Sequence, residues 1–371
     1  MKSIKVIILV GVVLLIFGSV VYLESKKPDS LLSNKSNPVE LTVDSMTKSE
    51  KAKKYQVAQE ITNPSDYVNT DQITIQELIG KKVILVDFWT YSCINCQRTL
   101  PYLTSWYEKY RDQGLEIIGV HTPEFEFEKD INNVRKAAAQ YNIEYPVVLD
   151  NDYGTWSAYR NRYWPRKYLI DIDGYVVYDH IGEGGYEETE KIIQQLLEER
   201  KNRLGENLNV SKDIVEPAGV ETVDFTKPRS PEIYFGAARN TNLVGGYAGQ
   251  TGEITFKDTT NPRTDVLYLV GKWNLGSEHA TNLEAGAKII FKYQAQKVFM
   301  VASADQEVKL TILRDGQPVG QAAGTDVIDD QVTVKGDQLY RLIEDPQGWG
   351  EHTLEIIIES PGLKAFTFTF G

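Results

Sequence analysis

The apolar positions of the chain fall into three patterns that predict three kinds of structure. An apolar run over residues 6–23 comes first. Between residues 83 and 200, short continuous apolar runs alternate with segments whose apolar positions recur every three or four residues, which is typical of buried strands alternating with amphipathic helices. Beyond residue 230 the runs are short and alternating, without a helical period. We therefore predict an α/β domain followed by an all-β domain.

The first apolar run is long enough to cross a membrane. A helix over residues 6–23 would span about 27 Å, close to the thickness of the hydrocarbon core. No small-residue cleavage pattern and no cysteine follows it directly, so we expect residues 1–23 to be an uncleaved anchor, with a cleaved signal peptide as the alternative. Residues 24–59 are polar and predict a tether. Because Lys2 and Lys5 precede the run, we expect the remainder to be extracytoplasmic, at the cell surface or in the periplasm.

Residues 60–203 predict a domain with the order β-α-β-α-β-β-α. Strands are predicted at 83–89 and 115–121, helices at 97–113, 130–141 and 186–200, and a hairpin around Asp173-Gly174. Crossover connections followed by a hairpin indicate a mixed sheet with helices on both faces.

Residues 204–230 contain prolines and glycines without a period and predict a linker. The eight or nine short strands expected within 231–371 predict a β-sandwich, specifically a jelly roll. Trp273, Trp349, Tyr247 and Tyr340 could form a sugar-stacking face or could fill the core, as strand aromatics often do.

Composition narrows the possible chemistry. The 371 residues carry a formal net charge of -12, which argues against a nucleic-acid partner because such a partner requires a basic surface. The sequence has two cysteines, Cys93 and Cys96. A disulfide framework and an all-cysteine metal site are therefore excluded.

The two cysteines lie where a predicted strand meets a predicted helix. Free N–H groups and the helix dipole stabilise a thiolate at a helix amino terminus, so Cys93 is predicted to attack and Cys96 to resolve. A zinc site is the alternative, but no histidine pair has a ligand spacing. Asp87 lies in an apolar strand, where burial raises a carboxyl pKa; a lysine partner is the other interpretation.

Several segments together resemble the thioredoxin superfamily and, more closely, DipZ-type thiol–disulfide interchange proteins, which are related to TlpA-like reductases. The segments are Asp87-Phe-Trp-Thr-Tyr-Ser-Cys-Ile-Asn-Cys96 with Pro101, His121-Thr-Pro-Glu-Phe125, Asn161-Arg-Tyr-Trp-Pro165 and Gly182-Glu-Gly-Gly-Tyr186. The segments Ser230-Pro-Glu-Ile-Tyr-Phe-Gly236 and Phe368-Thr-Phe-Gly371 resemble the C-terminal domain of DipZ-type proteins, which has a carbohydrate-binding-module-like fold. Ser92 departs from the family pattern, in which tryptophan usually precedes the first cysteine.

The resemblance implies a thioredoxin-like fold and a thiol–disulfide oxidoreductase that is expected to act as a reductase. Its only cofactor would be the redox-active Cys93–Cys96 disulfide, with no metal. It implies that Asp87 exchanges a proton with Cys96. It also implies substrate contacts at Tyr91, Ile94, Asn95, Trp164 and Pro165.

The partners implied by the resemblance are substrate proteins with disulfides and a separate membrane electron donor of the CcdA/DsbD type. Cell-envelope glycan is a candidate ligand of the C-terminal domain. Two other functions stay open. A thiol peroxidase is disfavoured because no proline precedes Cys93 at the peroxidase spacing, and a non-catalytic binding or metal-carrying module lacks a third ligand near the cysteines.

Overall fold

A computed structural model describes residues 46–246, 249–259 and 261–371 of the chain. The α-helices of these residues are α1 Lys48–Lys54, α2 Ile75–Leu78, α3 Ile94–Tyr110, α4 Ile131–Gln140, α5 Gly154–Ala158 and α6 Tyr186–Leu204. The strands of the first domain are β1 Gln56–Val57, β2 Asp66–Val68, β3 Val83–Trp89, β4 Leu115–His121, β5 Val147–Leu149, β6 Arg166–Ile170 and β7 Tyr175–Ile181.

The strands of the second domain are β8 Ile233–Tyr234, β9 Gly252–Phe256, β10 Leu267–Leu275, β11 Ala280–Asn282, β12 Lys288–Ala295, β13 Lys297–Ser303, β14 Val308–Arg314, β15 Gln317–Pro318, β16 Gln331–Val334, β17 Gln338–Glu344, β18 Gly350–Ile358 and β19 Lys364–Phe370. Short 3-10 helices lie at Arg111–Gln113, Glu126–Lys129 and Gly320–Ala322.

The first domain is built on a mixed sheet with β3 at its centre. The strand order is β1-β7-β6-β3-β4-β5-β2. Strands β3, β4 and β5 are parallel, whereas β6 and β7 form an antiparallel hairpin beside β3. Every residue of β3 is buried, because the central strand of such a sheet is covered on both faces. This arrangement confirms the predicted thioredoxin-like α/β fold.

The end of the predicted tether is folded rather than extended. Helix α1 places Lys51 in a fully buried position, where its Nζ lies 2.6 Å from Asp171, 3.1 Å from Asp173 and in contact with Glu199. Strand β1 then pairs with β7. The predicted boundary between tether and domain, at residue 59, is therefore too late in the sequence. The ion pairs of Lys51 hold α1 against the β6–β7 hairpin and α6.

The second domain is all-β, as predicted. Strand β10 belongs to two sheets: its first half pairs with β12 and its second half pairs with β9 and β11. The change of partners falls at Gly271, whose φ of 87° is favourable only for glycine. Residues of both sheets share one hydrophobic core. The jelly-roll connectivity stays a prediction.

Two of the four aromatic residues that could stack on a sugar or fill the core take the second alternative. Trp273 and Tyr340 belong to the core of the second domain, where they fill the space between strands and cannot stack on a sugar. Trp349 is partly exposed and donates its indole N–H to the carbonyl of Pro228. Tyr247 lies outside the described residues.

The predicted linker has no regular secondary structure between residues 206 and 232, but it packs closely on the first domain. The buried carboxylate of Glu190 accepts hydrogen bonds from Trp106 Nε1 at 3.1 Å, from Tyr110 Oη at 2.7 Å and from the backbone N–H of Val215 at 2.9 Å. One buried acid on α6 thus fixes both α3 and the linker.

The two domains meet over a small apolar interface of their own. Ile94 and Phe125 of the first domain pack with Phe299, Leu339 and Phe366 of the second. Both domains lie in a single compact unit of the chain, and this cluster joins their cores.

The predicted membrane anchor lies outside the described residues. Among the helices that the structure describes, none is both long and apolar enough to span a bilayer.

Substitution of Lys51 tests the folded role of α1. Lys51→Met should destabilise the chain by about 3–5 kcal/mol, because it leaves the buried carboxylates of Asp171 and Glu199 without their cation, whereas Asp173 keeps Arg203 at 2.6 Å. Urea unfolding of the full chain would measure this loss. Lys53→Met is the matched control, since Lys53 is exposed on the same helix. Equal stability of the two variants would contradict the assignment.

Candidate active site

The two cysteines lie at the junction of β3 and α3. Cys93 is the N-cap of α3 in an extended conformation, and its Sγ accepts a hydrogen bond from the backbone N–H of Cys96 at 3.3 Å. The Cys93 side chain is half-buried, whereas Cys96 is buried. A sulfur at this position faces the free N–H groups of the first helical turn. The half-buried Cys93 is thus placed to react first and the buried Cys96 to follow.

The loop before β6 lies against Cys93. The Trp164–Pro165 peptide bond is cis, and the carbonyl oxygen of Trp164 lies 4.0 Å from Cys93 Sγ. The Trp164 indole donates a hydrogen bond to the Thr122 carbonyl at 3.0 Å, and its ring packs 4.2 Å from that of Trp156. These contacts hold the loop beside the reactive sulfur.

Asp87 lies beneath the cysteines and has a charged partner. Asp87 is directly opposite Lys167 in the β3–β6 pair, and both side chains are buried. Burial raises the pKa of Asp87 to about 7, while the charge of Lys167 opposes that shift. Burial also lowers the pKa of Lys167, against the effect of Asp87. Both interpretations of Asp87 therefore contribute: a raised pKa and a nearby lysine.

The carboxyl oxygens of Asp87 have no hydrogen-bond partner within the described part of the chain. Lys167 Nζ instead donates to the carbonyl of Gly182 at 3.1 Å. Burial raises the pKa of the Cys96 thiol well above its usual value, and the nearby Cys93 and Asp87 add to that effect. A carboxyl group whose oxygens are free of hydrogen bonds and lie near a thiol of raised pKa can accept the proton of that thiol.

A second buried acid, Glu128, explains why a serine rather than a tryptophan lies at position 92. Its hydroxyl donates to Glu128 at 2.6 Å and its backbone N–H donates to the same carboxylate at 3.3 Å. Glu128 also accepts from the backbone N–H groups of Glu124 and Phe125, and burial raises its pKa to about 7. A tryptophan at position 92 would displace this network, because Ser92 is buried.

His121 is a buried neighbour of the site. Its ring stacks on Tyr91 at 5.7 Å and its Nε2 lies 3.4 Å from the Thr90 hydroxyl. Burial lowers its pKa to about 3, so the imidazole is neutral at physiological pH and supports the Thr90–Cys93 loop without carrying charge.

The residues predicted to contact substrate divide into two groups. Asn95 and Trp164 line a cleft of about 700 Å³ together with Cys93. Tyr91 is 6% exposed and Ile94 only 1% exposed. The predicted substrate contacts of these two residues are wrong, because neither side chain is accessible. Tyr91 stacks on His121, and Ile94 is covered by the second domain. Pro165 is also buried.

Three residues that position the site were not predicted from the sequence: Lys167, Glu128 and Arg98. Arg98 binds Glu183 at 2.6 Å and Asn95 at 2.7 Å. Lys167 could have been identified from the sequence, since this lysine lies directly before an apolar strand segment and two residues after Pro165. The roles of Arg98 and Glu128 depend on partners distant in sequence.

Two family models match the chain. Residues 50–179 match the AhpC/TSA family, and residues 230–371 match the "Thioredoxin like C-terminal domain". The first match covers most of the α/β domain and the second covers the all-β domain.

Curated proteins with similar sequences include Protein DipZ of Mycobacterium bovis, which is 40% identical over 302 residues, or 81% of this chain and 40% of that protein. Thiol-disulfide oxidoreductase YkuV of Bacillus subtilis is 31% identical over 38% of this chain and 93% of its own length. Thiol-disulfide oxidoreductase ResA of Bacillus cereus is 33% identical over 38% of this chain and 80% of its own length.

The match to DipZ thus covers about two fifths of that protein's length, whereas the two oxidoreductases are matched over most of theirs. The chain belongs to the thioredoxin superfamily, in its group of DipZ- and TlpA-like thiol–disulfide oxidoreductases.

Proposed function

We propose that this chain reduces disulfides of extracytoplasmic proteins through a cycle of the Cys93–Cys96 pair. The observation that carries the proposal is the asymmetry of the pair: Cys93 is half-buried at a helix N-cap and opens into a cleft, while Cys96 is buried beneath it. Such a pair separates an attacking sulfur from a resolving one.

In the first step the Cys93 thiolate attacks one sulfur of the substrate disulfide. The substrate S–S bond breaks, a mixed disulfide forms between Cys93 and the substrate, and the departing thiolate takes a proton from solvent. In the second step Cys96 loses its proton and attacks Cys93 Sγ. The mixed disulfide breaks, and the second substrate thiolate leaves and is protonated. Two electrons have passed to the substrate, and Cys93 and Cys96 are now joined as a disulfide.

Asp87 is proposed to receive the proton of Cys96 in the second step. Its side chain is buried, has a pKa raised to about 7 and lies close enough to influence the thiol of Cys96. The charge of Lys167 keeps part of the carboxyl population ionised near neutral pH. An ionised carboxylate at this position is a suitable general base.

The proposed setting follows from the sequence. The apolar run at residues 6–23 would anchor the chain, with the catalytic and C-terminal domains extracytoplasmic. Since the sequence holds two cysteines, the oxidised pair would be reduced by a separate membrane electron donor of the CcdA/DsbD type. A carbohydrate-binding-module-like role of the second domain, with cell-envelope glycan as its ligand, belongs to the same proposal.

Cysteine variants test the cycle directly. The full chain should reduce insulin disulfides in the presence of dithiothreitol, and Cys93→Ser should abolish that activity because the attacking sulfur is lost. Cys96→Ser should instead accumulate a mixed disulfide between Cys93 and insulin, visible on non-reducing gels.

Wild-type activity in Cys93→Ser would contradict the proposed cycle. Peroxide consumption that persists in Cys96→Ser would indicate a thiol peroxidase instead. The redox potential of the pair indicates the direction of electron flow. The potential of a reductase should be about −270 mV, the value for thioredoxin, whereas a potential of about −120 mV would indicate an oxidant.

The role of Asp87 predicts a specific pH dependence. Below pH 7 the carboxyl group is protonated and cannot accept a proton, so the resolving step should accelerate as pH rises through about 7. Asp87→Asn should remove this rise and slow the step roughly 100-fold at pH 8. Stopped-flow mixing of the reduced chain with an aromatic disulfide distinguishes the release of the two aromatic thiols in time. The rate of the second release measures the attack of Cys96 on the mixed disulfide.

Lys167→Met provides the matched comparison. Removing the positive charge takes away the influence that lowers the pKa of Asp87, so the midpoint of the resolving step should move above pH 7 while the pH-dependent rise is retained. An unchanged midpoint, or an Asp87→Asn variant with the wild-type profile, would show that Asp87 is not the base.

A further inference from the structure

The cleft in front of Cys93 has walls from both domains and from the linker. The first domain contributes Arg162 and Trp164, the linker contributes Lys227 and Arg229, and the second domain contributes residues beyond 230. Its volume of about 700 Å³ falls within the range of ligand-binding clefts in proteins. The reactive sulfur therefore faces a shaped surface rather than open solvent.

Positive charge dominates this cleft. Of its acidic residues, Glu124 is paired with Arg239 at 2.7 Å, and Glu232 accepts a hydrogen bond from a tyrosine hydroxyl. Arg162, Lys227 and Arg229 also line it, and none of these three cations has an ion pair with any described residue. The whole chain has a net charge of -12, so the cleft has the opposite sign to the protein.

Cations with a purely structural role in this region are paired. Arg98, directly behind the cleft, is almost fully buried and binds Glu183 at 2.6 Å, with Glu221 at 3.6 Å. The chain thus supplies carboxylates where an arginine holds the fold together. Three of the four cations that line the cleft have no such partner among the described residues, which is expected when the partner belongs to another molecule.

The edge of the cleft is aromatic. Phe225 is 60% exposed and Tyr163 is 47% exposed, and the guanidinium of Arg229 lies 5.2 Å from the ring centre of Phe225. Exposed aromatic rings beside arginines are typical of surfaces that bind polypeptides. A bare inorganic anion would gain nothing from these rings.

We propose that this cleft binds an acidic polypeptide segment next to the substrate cysteine, so that the preferred substrates carry aspartate or glutamate beside their disulfide. This inference rests on the proposed function, because it describes the substrate of the same reactive sulfur. A cleft lined by one sign of charge raises the association rate of oppositely charged partners. The preference should therefore appear in the rate of the first attack on the disulfide.

Three peptides that differ in one property would test the preference. Each is closed by a single disulfide, which is flanked by glutamates, by lysines or by serines. The reduced full chain should react with the glutamate peptide about tenfold faster than with the serine peptide at low ionic strength, and slowest with the lysine peptide. Added salt should reduce the advantage, because it screens exposed charges.

Charge variants identify the residues responsible. Combined Arg162→Gln, Lys227→Gln and Arg229→Gln substitutions should remove the preference, so that the variant reacts with the glutamate peptide no faster than with the serine peptide. Combined Arg162→Glu, Lys227→Glu and Arg229→Glu substitutions should reverse it. The matched control combines Lys53→Gln, Lys257→Gln and Lys309→Gln, three exposed cations that do not line the cleft, and it should keep the preference.

The outcomes separate this inference from the proposed function. If no peptide is reduced, the proposed function fails. If the three peptides react equally, or if the glutamine variant keeps the preference, the inference about the cleft fails while the reductase stands. If an anionic oligosaccharide such as oligogalacturonate blocks reduction while the peptides react equally, the cations serve a glycan and the peptide proposal is overturned.

Discussion

The burial of Ile94 between the two domains is the interaction on which the geometry of the active site depends. Ile94 is one of the two residues between the cysteines, and it packs with Phe299 and Phe366 of the all-β domain. Removing such a side chain from water contributes about 1.5–3 kcal/mol. Because Ile94 follows Cys93 directly, the contact that docks the second domain also determines which side of the sulfur a substrate can reach. In the proposed function, the cleft lined by Cys93 is the route by which substrate reaches the sulfur.

Two ionisable side chains are buried near the cysteines, at a cost in electrostatic free energy that an apolar core would not have. Asp87 and Lys167 are both buried and opposite each other, yet the carboxyl oxygens find no hydrogen bond among the described residues. Burying such groups without good partners is expensive, and the raised pKa of Asp87 and lowered pKa of Lys167 are the physical response. This cost is explicable where a proton must move near neutral pH.

Local sequence patterns were enough to predict most of the fold. The apolar run of β3, the helical spacing after Cys96 and the turn at Asp173-Gly174 each depend on neighbours in sequence, and the corresponding elements are present. Features that depend on distant partners were missed or misassigned. An isoleucine between two cysteines fits substrate contact or domain packing equally well until the second domain is placed, and the buried position of Lys51 requires acids more than a hundred residues away.

The linker shows how a segment without secondary structure can still shape the site. Its Val215 N–H is bound to Glu190 of α6, and its Glu221 lies between Arg98 of α3 and Lys297 of β13. Both attachments lie shortly before Lys227 and Arg229 in the chain, so they hold the segment that leads to these cations of the cleft. Since Arg98 also holds Asn95 beside Cys93, the position of the linker and the surroundings of the reactive sulfur depend on the same arginine. A change that loosens the linker from α3 would therefore alter substrate access before it altered either domain core.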